Sequence, residues 1–449
     1  MKFERIWLYL ALLVFSVTGV GCSSGEPSVD VASSPSAFSV VEGSTEKICQ
    51  LTGEYDYHTA AEAGIAPEEM PTLNRTYSNY GIHGTDLGSS FEHNGKLWFL
   101  FGDTLATEMI PGDPINAEAH SGPNPFLGDA TAYTGDTDPT DCVSLEFLRN
   151  PAAPDFWGWP SFDPDGHVVQ HEGFSIGSSF YVWYSTGGDN PVSYLARSDD
   201  DGGSYTVLYD VSDYRFTWVS VDFAPVLVIP GLEDVGETDW LFIFGTGPIY
   251  RESDMFLGII PLALIEEPQA MVYFAGLNEN ALPQWSESEE AAQPVIDIDN
   301  PLATGDWFAG VELEEKANAE GCIGEFSVHY SEVLETWTAM YNCDFLSIEM
   351  HTADLPWGPW SQAVTVFDPV KDGGYCGFLH LPEDIGQVLD LGCDYNVTVQ
   401  NRSNLGSPYG PYILERYTTG DRDQATLYFV MSMWHPYNVL LMRTEVERR

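Results

Sequence analysis

Two aspartates, Asp86 and Asp103, flank the strongest turn signal in the chain and carry its clearest chemistry. Between them lies Asn94-Gly95, a dipeptide that closes two-residue hairpins because both positions accept positive φ. Such a loop fixes the register: His93 faces Lys96, Phe91 faces Trp98, Ser89 faces Leu100 and, by continuation, Asp86 faces Asp103. Directly opposed residues have Cβ atoms about 4.5–5.5 Å apart, and like charges there repel. Two carboxyls so placed share a proton, bind a cation, or titrate apart with one pKa raised. A one-residue bulge would undo the pairing, leaving both acids to splay into solvent.

Glu325 is the third candidate, in a segment bounded by Cys322 and Cys343. If these cysteines face each other across a hairpin turning near residues 331–334, Phe326, Val328 and Tyr330 share one face. Glu325, Ser327 and His329 then share the other, which lines the central channel if this is the inner strand of a propeller blade. Glu172, beside His171, and Asp222 each precede or begin a strand, as site acids or as a surface acid and a turn cap. Trp434, Tyr437, Tyr409 and Tyr412 lie near Pro/Gly turns, where aromatic rings stack on sugars or pack in the core. His83 is a weak metal-ligand candidate. No G-x-S-x-G elbow, P-loop, H-E-x-x-H or dinucleotide fingerprint occurs, which leaves hydrolysis by paired carboxylates.

The elements that must position these groups are strands. An apolar-aromatic run ending in small or polar residues recurs five times, starting at Lys96, Ser179, Asp239, Glu335 and Ala425, at blade-sized intervals of 60 to 96 residues. A further strand follows most copies, as in an antiparallel meander, and the one helical candidate, residues 261–267, is a single turn. The expected fold is an all-β, five-bladed β-propeller. Residues 198–205 resemble the Asp-box of sialidase-type propellers, a turn in which Asp caps backbone amides and Gly permits positive φ.

The formal charge of −51, from 68 acidic and 17 basic residues, excludes nucleic acid and anionic lipid surfaces as partners and favours a neutral one. Lys2 and Arg5 precede an apolar run over residues 6–20, too short to span a bilayer, so residues 1–22 read as a signal peptide. The segment ending at Cys22 resembles a bacterial lipobox, with Gly19 in place of the usual Leu; plain signal-peptidase cleavage is the alternative. Residues 23–47 are expected to be a flexible tether and 48–449 the propeller. The protein is therefore expected to be exported, held in a bacterial cell envelope only through an N-terminal lipid anchor, and monomeric. The remaining six cysteines suit disulfides in an oxidising compartment: Cys322 with Cys343, Cys376 with Cys393, and Cys49 with Cys142. No zinc spacing is present; no cofactor is required, with Ca²⁺ the one ion the acids would suit.

Residues 84–104, 173–185, 224–228, 246–262, 273–277 with 285–286, 322–330, 353–361, 409–418 and 432–444 resemble, in order, a bacterial domain-of-unknown-function family that includes mycobacterial endo-D-arabinanases. The resemblance implies a furanosidase-like five-bladed propeller with acids from different blades converging on a central pocket. It points to Asp86, Asp103 and Glu325 as catalytic; Glu172, Asp222, Trp434, Tyr437 and Tyr409 are the candidates for binding substrate from their residue types and places in the chain. His171-Glu172 and Trp434-His435-Pro436 depart from the family's usual residues beside that pocket. The expected function is a glycoside hydrolase acting on a neutral furanose-containing polysaccharide, D-arabinan among them. Two other readings stay open: a surface glycan-binding propeller whose acids hold Ca²⁺ or sugar hydroxyls without turnover, and a structural lipoprotein.

Overall fold

Residues that must be buried on both sides have no polar face, and here they form the second strand of every sheet. The computed structural model describes residues 37–56, 70–105, 126–135, 137–148, 168–186, 191–223, 228–235, 238–247, 253–297, 323–343, 347–379, 406–433 and 437–449, within one compact unit, Ser34–Arg449. These residues build five antiparallel sheets, the blades of a β-propeller. Blade one runs outward through Leu87–His93, Lys96–Leu105, Phe126–Thr134 and Glu146–Phe147; blade two through Val168–Ile176, Ser179–Thr186, Ser193–Ser198 and Thr206–Ser212. Blade three runs through Trp218–Phe223, Trp240–Thr246, Met255–Pro261 and Val272–Leu277, and blade four through Phe326–Ser331, Thr336–Cys343, Ser347–Ala353 and Val364–Phe367. Blade five uses Pro408–Ile413, Gln424–Met433 and Asn438–Arg448.

The five apolar repeats of the sequence are the second strands of the five blades. Each side chain row of such a strand packs against a different neighbouring blade. Phe99 and Phe101 meet Val430 and Leu441 of blade five, while Trp98 and Leu100 meet Phe180 and Val182 of blade two. The described core accordingly divides into five clusters, one per seam between blades. Burial on both faces removes the polar alternation of a half-exposed strand, which is why these segments read as continuous apolar runs.

The ring is closed by the N-terminal part of the chain. Phe38–Val40 and Glu46–Gln50 both pair with Asn438–Arg448, so the propeller takes in residues that were expected to lie in the tether. Alternating apolar residues in so short a segment suffice once a strand edge awaits them. Cys49, on that sheet, is bonded to Cys142, just ahead of the outer strand of blade one, so a disulfide crosses the same seam. Cys322 and Cys393 lie outside the described residues, as do the side chains of Cys343 and Cys376. Residues 1–36, with Cys22, are likewise outside them. Among the described residues no helix is long and apolar enough to cross a membrane.

The inner strands of the blades pack on one another around an axis, the fifth returning to the first. Neighbours run the same way: Val328 N–H donates to Ser220 Oγ and, two residues on, Tyr330 N–H donates to Asp222 Oδ2. All five strand starts therefore open at one end of the channel and all five ends at the other, so a residue's place along its strand sets its depth.

Candidate active site

Asp86 and Glu325 stand immediately before the inner strands of blades one and four, at the same mouth of the channel. The hairpin that delivers Asp86 turns at Asn94 (φ 50°) and Gly95 (φ 76°), and its pairing holds from His93–Lys96 through Ser89–Leu100. There it breaks. Leu87 pairs with Phe101, one residue out of the expected register, through a bulge at Gly88 with φ 115°. Asp86 consequently stands across from Gly102, whose N–H donates to the Asp86 carbonyl at 3.0 Å, and not across from Asp103. Asp103 is instead opposed by Asp129 on the third strand. The like-charge pair expected from the hairpin is thus replaced by a set of three acids.

These acids remain within electrostatic reach of one another. Asp86 is 7% exposed; burial first, then the Asp103 charge, pushes its carboxyl well above the usual range, with Glu325 adding to the rise. Tyr409 Oη donates to Asp86 Oδ2 at 2.7 Å and opposes the rise. Burial and the charges of Asp103 and Asp86 likewise raise Asp129, although Gln170 N–H donates to its Oδ2 at 2.9 Å. Glu325 is buried as well. It is presented by a strand whose register also differs from expectation: Phe326 pairs with Tyr341 and Ser331 with Thr336, around a four-residue turn. Ser331 Oγ accepts from Leu334 N–H and Glu335 takes φ 54°, which stabilises the longer turn. The slip is two residues, so the alternation survives, with Phe326 and Val328 in the apolar core between blades three and four.

Deeper in the channel four blades converge on one imidazole. His329 Nδ1 lies 3.5 Å from Asp222 Oδ2. Burial disfavours its charge, but the Asp222 hydrogen bond and the charges of Glu172, Asp222 and Glu415 outweigh that and raise His329 to about 9. Burial raises Glu172 to about 7 against the pull of His329, and does the same for Glu415. Ser220 Oγ donates to Glu172 Oε2 at 2.7 Å, while Glu172 Oε1 is buried with no hydrogen-bond partner among the described residues. Neighbouring His171 stays neutral, lowered to about 3 by burial, with Nε2 2.9 Å from Ser185 Oγ.

The structure thus gathers Asp86, Asp103 and Glu325 at the mouth and Glu172 and Asp222 further down. Asp222 also caps Phe223 N–H and Tyr330 N–H. Tyr409 and Tyr437 depart from the sugar-stacking role expected of them: both are 2% exposed, within the core between blades one and five. Tyr412 is buried in the same cluster. Trp434 lies outside the described residues, with His435 and Pro436. His83 stacks on Tyr77, ring centroids 3.8 Å apart. Among the described residues no group of three or more His, Cys, Asp or Glu is arranged to hold a metal ion. The Asp-box is a turn: Asp200 Oδ1 accepts from Ser204 N–H at 2.8 Å. Asp129 and Glu415 were missed. Asp129 had a signal, an acid within the strand Phe126–Thr134; Glu415 had none, since it reaches the channel from a short turn beyond its strand.

Fold and site together define a five-bladed propeller whose axial channel is lined by buried carboxylates. The chain belongs to the family described as Domain of unknown function (DUF4185), whose model matches residues 72–443. Among solved structures it is similar to a glycosyl hydrolase from Bacteroides ovatus, with a TM-score of 0.42 and 9% identity over 91% of this chain and 94% of that one. It is also similar to the catalytic domain of a GH62 alpha-L-arabinofuranosidase from Coprinopsis cinerea, with a TM-score of 0.41 and 10% identity over 90% and 98%. For a GH43 endo-arabinanase from Bacillus licheniformis the TM-score is 0.36 and the identity 11%, over 80% and 92%. The activities in those names are those proteins' own. No curated protein matches the chain.

Proposed function

We propose that the protein is a glycoside hydrolase cleaving a neutral, furanose-containing polysaccharide, with D-arabinan the first polymer to try. The observation that carries this reading is the meeting of Asp86 and Glu325, delivered by blades one and four to one mouth of the channel, both buried and each within the other's field. Glycosidic cleavage needs two carboxyls, one to protonate the leaving oxygen and one to stabilise or attack the oxocarbenium-like centre. Asp86 is the base or nucleophile and Glu325 the general acid. A raised carboxyl is the stronger proton acceptor, with the consequence that activity falls as pH drops through its pKa. Asp103 and Asp129 set that pKa by their charge, and no cofactor takes part. The net charge of −51 supports a neutral chain over an acidic one as substrate. The leader and Cys22 suit an anchored, exported enzyme meeting polymers outside the cell.

The test is oligosaccharide release from arabinans, fructans and galactans by the wild type, Asp86→Asn and Glu325→Gln. Binding without release would favour a glycan-binding propeller, and neither binding nor release a structural role.

A further inference from the structure

The two oxygens of Asp86 are held unequally. Oδ2 accepts the Tyr409 hydroxyl at 2.7 Å, the one side-chain hydrogen bond to this carboxyl among the described residues, whereas Oδ1 is buried against Gly102 and the Asp103 backbone N–H also favours the ionised form. Burial and the Asp86 charge push the Tyr409 hydroxyl well above its ordinary pKa, so it stays a proton donor. The backbone around the pair is shaped for this contact. Leu87 takes φ 60° and Gly88 φ 115° beside Asp86, and Gly410 takes φ 57° beside Tyr409. A leucine in the left-handed region costs on the order of 1 kcal/mol and persists only where its surroundings enforce it. Blade five does so: Leu87 N–H donates to Ser432 Oγ at 2.7 Å and Thr85 N–H to the Tyr437 carbonyl at 2.8 Å.

We propose that Tyr409 is the positioning residue of this site, fixing the Asp86 carboxyl through Oδ2 so that it cannot rotate away from its reacting orientation. The proposal rests on the reading of Asp86 as base or nucleophile. A carboxylate clamped at one oxygen loses the rotation that would offer either oxygen to water, and such preorganisation within a buried site raises the rate without tightening ground-state binding. Blade five, none of whose described residues brings a carboxylate to the mouth, thereby takes part in its chemistry.

Tyr409→Phe removes the hydroxyl and keeps the ring. On a polymer that the wild type cleaves, kcat falls on the order of 10–100-fold with KM changed less than twofold. The acid limb of the pH profile also moves to higher pH, since the lost hydrogen bond favoured ionised Asp86. Tyr412→Phe, which strips a buried hydroxyl from the same strand, leaves that limb in place. Thermal unfolding supplies a readout that needs no substrate: the melting-temperature loss caused by Tyr409→Phe disappears in an Asp86→Ala background. Additive losses with an unmoved limb overturn the proposal alone. Full activity in Asp86→Asn overturns the functional reading and this proposal with it. If no polymer is cleaved, the unfolding cycle decides, coupling supporting the clamp and additivity overturning it.

Discussion

A Cβ placed on Gly102 would stand 2.5 Å from Asp86 Oδ1 and 2.8 Å from Leu87 Cδ1. The bulge at Gly88 brings Asp86 across from this glycine, so the acid occupies space that any other residue at 102 would fill.

Gly102→Ala therefore displaces the Asp86 carboxyl. The expected outcome is a loss of kcat on the order of 100-fold, because a shift of about 1 Å at a reacting group costs that much. Gly95→Ala at the exposed hairpin tip, where a Cβ meets nothing within 4 Å, strains only the turn and leaves kcat within a few-fold. Steady-state kinetics of both variants checks this; equal, small effects would show that Asp86 tolerates displacement.

The buried His329 cluster makes stability fall as pH rises. Glu172 and Glu415 are raised from 4.5 to about 7, so the folded state holds their protons more tightly than the unfolded chain. Stability from this source is complete below pH 4.5 and is lost as pH climbs through 7. His329, raised from 6.5 to about 9, contributes stability that is complete below 6.5 and lost through 9. Melting temperature is expected to drop by several degrees between pH 5 and 9, and His329→Gln to flatten the alkaline part of that drop. A melting curve flat across that range would refute the coupling.

Ring closure depends on the N-terminal strands and their disulfide. Protein beginning at residue 46 lacks Phe38–Val40 and is expected to melt several degrees below protein beginning at Ser34. Cys49→Ser with Cys142→Ser opens a loop of sequence separation 93, which the chain-entropy account values at about 4–5 kcal/mol. Calorimetry on the three proteins measures both effects, and indistinguishable transitions would mean that the blade-to-blade contacts hold the ring alone.

The architecture was legible because two-sided burial wrote itself into the second strand of each blade, as in Trp98 to Phe101, without polar interruption. Inner strands were harder to read, since one face meets a polar channel and the other the core; Gln170, His171 and Glu172 stand in one such strand. Asn94-Gly95 fixed the hairpin near its tip but could not reveal a bulge seven residues away, which depends on Ser432 and Tyr437 of another blade. Tyr409 illustrates the same limit: its residue type suits stacking, and only the closing of blade five on blade one turns its hydroxyl to Asp86. Asp129 was open to notice as an acid within a strand, whereas Glu415 became a site residue through contacts distant in sequence, which no local spacing encodes.

The most direct measurement is oligosaccharide release from a panel of arabinans, fructans and galactans by the wild type beside Asp86→Asn and Glu325→Gln, with folding of each variant verified by its melting curve. The account predicts release from a furanoside polymer by the wild type and a fall of at least about 10²–10⁴-fold in each variant, the range for removing a positioned acid or base. Equal release by the wild type and both folded variants would contradict it.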